Sequence, residues 1–146
     1  MSKTTILILG GYGNTGSRIA RMLLEHTDVS IVIGGRHKEM AEQAAQSWNA
    51  EFTGQRVGAV SVDAGDQNQL ARAYERTDLV VVASAATQHA RTIALAAMDK
   101  GIDYIDLQIS DQKLADLSAL SEQILHRKLC FITERPSISK GAIRKP

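Results

Sequence analysis

Gly11, Gly13 and Gly16 stand at G-x-G-x-x-G spacing, directly after an apolar run over residues 5–9 and directly before a stretch of helical period. Each position has its own physical demand. Gly11 allows a tight turn off a strand, Gly13 lets the backbone approach a pyrophosphate without a Cβ in the way, and Gly16 lets the helix lie close on the strand. The first N–H groups of that helix lack intrahelical partners and sit at the positive end of its dipole, so a phosphate is their natural occupant. The turn of Gly11, Tyr12, Gly13, Asn14, Thr15 and Gly16 is therefore the expected phosphate cradle, with Asn14 or Thr15 available to cap the helix. Glycine turns of this kind also occur without a ligand, so the rest of the chain decides how much the pattern means.

A second apolar run, over residues 29–33, ends in Gly34-Gly35-Arg36-His37. A site for NAD wants an acid here, about twenty residues beyond the glycines, to bind the adenosine ribose hydroxyls. Arg36 offers the opposite chemistry, because a guanidinium grips a 2′-phosphate bidentately and stacks on adenine. The expected cofactor is NADP(H), with His37 either adding to the phosphate pocket or lying beside it in solvent. Asp63 follows a third apolar run at 57–62 and suits the adenine edge, a turn or helix-cap role being the structural alternative. Ser84, Ala85 and Ala86 follow a fourth run at 79–83, and their small side chains leave room for the nicotinamide half. Tyr104 and Asp106 alternate at the end of a fifth run, where they either face a substrate or solvate the rim.

No catalytic constellation accompanies these residues. There is no serine elbow, no histidine pair at metal-ligand spacing, and neither Tyr74 nor Tyr104 has a lysine four residues on. No catalytic residue and no metal site are expected. Cys130 is the single cysteine, so it has no internal disulfide partner, and its apolar surroundings read as a strand with a buried thiol.

The elements that must position these groups alternate along the chain. Apolar strand runs are separated by stretches of helical period, among them residues 14–26, 38–49 and an alanine-rich segment at 87–100 closed by Gly101. Asp66 and Gln69 have capping-box spacing at the start of another helix, and Asp111 is placed to cap the fifth. Six strands alternating with five helices predict an α/β fold, a doubly wound six-stranded parallel sheet of Rossmann type in the order 3-2-1-4-5-6. The chain has 146 residues, enough for one domain, here expected over 1–134. Residues 135–146 contain four basic residues and no acidic one, and are expected to form a basic C-terminal tail.

The glycine turn, the Gly34-Gly35-Arg36 strand end and the segment Ala96-Ala97-Met98-Asp99-Lys100-Gly101-Ile102-Asp103-Tyr104-Ile105-Asp106-Leu107 together resemble the NADP-binding domain of the saccharopine dehydrogenase family, over about residues 4–133. The resemblance implies a Rossmann domain binding NADP(H) in an oxidoreductase of amino-acid or related metabolism. Family members usually continue after the sixth strand into a second, substrate-binding domain. This chain runs instead into the basic tail, so it is expected to lack that domain, as a truncated gene product, a shifted reading frame or an expressed fragment, and to be inactive alone. Proline, common in the family's loop after strand four, is absent from residues 84–88.

An alternative class is a sensor without catalysis, because Gly10, Gly13 and Gly16 also fit the G-x-x-G-x-x-G spacing of NmrA-like regulators. An S-adenosylmethionine enzyme would again prefer an acid after the second strand. A net charge of +1 gives no electrostatic footprint for nucleic acid or an anionic membrane. No apolar run reaches membrane-span length and no signal-peptide pattern opens the chain, so the cytoplasm is the expected location. Self-association is expected if a missing second domain leaves apolar surface bare.

Overall fold

The computed structural model describes residues 4–84, 87–107 and 110–133. Ala85, Ala86 and the basic tail lie outside the described residues. In chain order the elements are β1 (Thr5–Leu9), α1 (Asn14–His26), β2 (Ser30–Gly35), α2 (Lys38–Glu51), β3 (Val57–Ser61), α3 (Gln67–Ala73), β4 (Leu79–Val82), α4 (Ala90–Lys100), β5 (Asp103–Asp106), α5 (Asp111–Ser118), α6 (Ser121–His126) and β6 (Phe131–Ile132). The strands form one parallel sheet in the order β3-β2-β1-β4-β5-β6, as the alternation predicts.

The run of β1 is apolar throughout because both of its faces are covered. Leu7 and Leu9 point into a core completed by Leu70 and Tyr74 around α3, Ile93 and Ala97 on α4, and Leu117 and Ile124 on α5 and α6. Ile6 and Ile8 point the other way, onto Ala20 and Leu24 of α1 and Ala41 and Ala45 of α2. In register, Leu9 lies between Gly34 of β2 and Val82 of β4. The three central strands therefore finish level, and their following loops open on one rim at the point where strand order reverses.

Several local features differ from the sequence reading. No side chain caps α1, whose N-cap is Gly13. The helix expected from Asp111 is capped instead by Ser110, whose Oγ accepts from the Lys113 N–H at 3.2 Å, and it divides into α5 and α6 where Leu120 N–H bonds three residues back to Leu117. Met40 and Leu125, apolar residues on α2 and α6, are exposed. Cys130 precedes the two-residue β6 and is only half-buried, its N–H donating to Asp103 Oδ1. Trp48 is half-buried on α2, beneath the Arg21 guanidinium at 5.0 Å and 6.1 Å from the Phe52 ring.

Tyr104 and Asp106 do not line the open rim. Asp106 is 2% exposed and accepts from Lys113 Nζ at 2.5 Å, from the Tyr104 hydroxyl at 2.6 Å and from Thr133 Oγ1 on both oxygens. Lys113 is 1% exposed and forms its ion pair with this carboxylate inside the fold. Burial, with the Asp106 carboxylate alongside, pushes the Tyr104 phenol far above its ordinary range. The cluster ties β5, the start of α5 and the end of β6 together.

Lys113→Met strands Asp106 as an unpaired buried charge and is expected to lower stability by about 3–5 kcal/mol, read from the urea midpoint. Adding Asp106→Leu should restore part of that loss. Asp66 gives a second, pH-dependent outcome. The Gln69 backbone N–H, with the Gln69 side chain and the Asn68 N–H, holds its carboxyl below the ordinary value. A carboxyl depressed on folding stabilises the fold above its unfolded value, and that contribution is lost as pH falls through the folded value. Asp66→Ala should therefore melt below wild type at pH 7, with the difference closing below about pH 4.

Candidate dinucleotide-binding cleft

The β1–α1 turn is built around the Gly10 carbonyl. Gly10 itself adopts φ +80°, a conformation open to glycine, so it supplies the sharp turn that the sequence pattern assigned to Gly11. Gly13 N–H donates to the Gly10 carbonyl at 3.0 Å. A Cβ at Gly16 would overlap that same oxygen and lie 2.7 Å from the Gly11 Cα, so only glycine lets α1 start this close to the strand. Gly11 is buried, and a Cβ there would sit 3.0 Å from the Ile33 side chain. At Gly13 the nearest atom to an added Cβ is the Gly10 carbonyl at 3.4 Å, and the residue is exposed. A side chain at 13 would thus project into open space beside the helix start.

That start carries the electrostatics of an anion site. The first turn of α1 holds no acidic residue, and no side chain among the described residues caps it. The unfilled donors and the positive end of a 13-residue helix face the same opening. Asn14 and Thr15 are exposed at its mouth.

A cleft of about 530 Å³ runs along the rim from this turn. Leu9, Gly10, Tyr12 and Gly13 form its floor. Gly35, Arg36 and His37 close one side, Val62, Asp63 and Ala64 the next, and Ala83, Ser84, Gln88 and His89 the other end. Of the residues singled out from sequence, Tyr12, Gly13, Arg36, His37, Asp63 and Ser84 meet here, while Gly11 and Gly16 lie beneath as packing. Gln88 and His89 were missed. Their position in the turn that opens the helix after the fourth strand is the signal that places them.

The walls are held by main-chain bonds across the strand ends. Gly10 N–H donates to the Gly34 carbonyl and Val62 N–H to the Gly35 carbonyl, each at 2.9 Å. A Cβ on Gly10 would meet the Ser84 Cβ at 2.7 Å, which measures how closely the loops after β1 and β4 approach. Asp63 is a turn residue, since its Oδ1 accepts from Gly65 N–H and its own N–H donates to Gln69 Oε1, both at 2.9 Å. Its carboxylate still borders the cleft. Arg36 and His37 are exposed, and no carboxylate among the described residues pairs with Arg36.

A helix start without an acidic residue, a glycine-rich floor and an exposed guanidinium suit an extended, anionic dinucleotide. Among the described residues no group of three or more His, Cys, Asp or Glu side chains is arranged to hold a metal, and no helix is long and apolar enough to cross a membrane.

Residues 6–129 match the family described as the saccharopine dehydrogenase NADP binding domain. Among solved structures the chain is similar to apo histidine-tagged saccharopine dehydrogenase (L-Glu forming) from Saccharomyces cerevisiae, with TM-score 0.73 and 19% identity over 91% of this chain. It is also similar to Pen from Bacillus thuringiensis, with TM-score 0.69 and 14% identity over 92% of the chain. A third similar structure is a short-chain dehydrogenase/reductase (wide type) from Veillonella parvula in complex with NADP, with TM-score 0.62, 18% identity and 92% of this chain covered. The chain spans 27% of the yeast enzyme, 50% of Pen and 69% of the Veillonella protein. At these identities the structural likeness establishes the shared fold.

Proposed function

The chain belongs to the saccharopine dehydrogenase NADP-binding domain family, and on that premise we propose that its cleft takes NADP(H) as the cofactor half of an oxidoreductase. The pyrophosphate lies on the start of α1 over Gly13, where no side chain among the described residues caps the helix. The adenosine 2′-phosphate lies against Arg36, with His37 beside it, and Asp63 borders the adenine. The nicotinamide half extends toward Ser84, with Ala85 and Ala86 next in sequence as the expected small-residue contacts.

The observation that carries this reading is the end of β2. Gly34 and Gly35 put no carboxylate where a ribose diol would need one, and the next residue is an exposed guanidinium with no carboxylate partner among the described residues. NADP(H) itself supplies the hydride chemistry when bound. The described residues bind and orient it and furnish one wall of a substrate pocket, without a nucleophile or a convergent acid–base pair of their own. The roles of Gly10, Gly13 and Gly16 in the turn also support a second reading, a sensor that binds the same nucleotide in the same cleft without turning it over.

Titration of the protein with NADPH and NADH, followed by cofactor fluorescence, tests the assignment. A charge-assisted contact contributes about 1.5–3 kcal/mol, so NADPH should bind roughly 10–100-fold tighter than NADH. Arg36→Asp should narrow or reverse that preference. Equal affinities for the wild type would contradict the proposal.

A further inference from the structure

Tyr12 sits between the glycine turn and the end of β2, and its position follows from the absence of a side chain at Gly35. A Cβ on Gly35 would lie against Tyr12 Cε2, 2.5 Å from the hydroxyl oxygen and 2.7 Å from Cζ. The ring thus fills the direction in which any side chain at position 35 would leave the strand. Its hydroxyl accepts from His37 N–H at 3.3 Å, at the N-cap of α2. Both residues border the cleft.

The backbone at this point has little room to yield. The Gly34 carbonyl accepts from Gly10 N–H, the Gly35 carbonyl from Val62 N–H, and the Arg36 carbonyl from Ser61 Oγ at 3.4 Å. A side chain added at 35 must therefore displace the Tyr12 ring, which packs half-buried against the core cluster on the α1–α2 face of the sheet.

We propose that Tyr12 is a specificity-determining residue, whose ring occupies the place at the end of β2 that an acid binding a ribose diol would need. The inference rests on the NADP(H) reading and deepens it. Arg36 attracts the 2′-phosphate, while Tyr12 denies the chain the residue that would favour the unphosphorylated ribose. Preference is set by an attraction and by an exclusion, and the two sit on different strand ends.

Four chains distinguish the exclusion from a general weakening: wild type, Gly35→Asp, Tyr12→Ala and the double variant, each titrated with NADPH and NADH. Gly35→Asp alone should lower NADPH affinity at least about tenfold with no gain for NADH, because the ring blocks the new carboxylate. In the Tyr12→Ala background the same substitution should raise NADH affinity about tenfold. Tyr12→Phe with Gly35→Asp should behave like Gly35→Asp, since the ring is the obstacle. Melting temperatures read the contact without cofactor: Gly35→Ala should lower that of wild type and leave that of Tyr12→Ala nearly unchanged. A Gly35→Asp chain that gains NADH affinity with Tyr12 intact, or a Gly35→Ala cost equal in both backgrounds, overturns this inference alone. A wild type with no preference for NADPH overturns the NADP(H) reading as well.

Discussion

The Gly10 carbonyl is the point on which the site depends. It accepts the Gly13 N–H at 3.0 Å and is so close to Gly16 that no other residue fits there. This contact sets how near α1 begins to the end of β1, and hence where the free donors of the helix point. Apolar packing on both faces of β1 fixes the strand, but only the glycine contact converts a buried strand into the floor of an anion site. Loss of that approach would leave the sheet in place and move the helix start off the rim.

Polar groups at strand ends divide into those the fold consumes and those it leaves at the cleft. At the opposite end of the sheet Asp78 accepts the Thr5 N–H at 2.8 Å and Asp103 accepts the Cys130 N–H at 2.8 Å, so each carboxylate ties one strand to its neighbour. Asp106, though at a carboxyl end, is consumed as well, by Lys113, Tyr104 and Thr133. What remains on the rim is a helix terminus, the Arg36 guanidinium, two imidazoles, the polar side chains of Tyr12, Ser84 and Gln88, and the partly engaged Asp63. That set is complementary to an anion.

Strand order and the glycine turn were legible in the sequence because they rest on local rules. Strict alternation forces right-handed crossovers, and a glycine triplet after an apolar run has few physical uses. Arg36 and His37 were legible because a strand end must lie on the rim. Asp106 was misplaced by the same rule, since its partner Lys113 lies seven residues away on a helix where a lysine ordinarily faces solvent. The role of Gly10 was shifted by one residue, because spacing alone does not say which glycine takes the positive φ. The pairing of Tyr12 with Gly35 was out of reach, as it joins a loop to a strand end 23 residues further on through space that only the assembled sheet defines.

The central claim is that a dinucleotide lies across the glycine turn with its adenosine phosphate at the end of β2. Amide chemical-shift changes on titrating the isotope-labelled protein with NADP⁺ test it most directly. The account predicts large shifts at residues 10–16 and 35–38, with the amides of Asp106 and Lys113 nearly still. Shifts centred on Asp106 and Lys113, or a turn at 10–16 that does not respond, would contradict it.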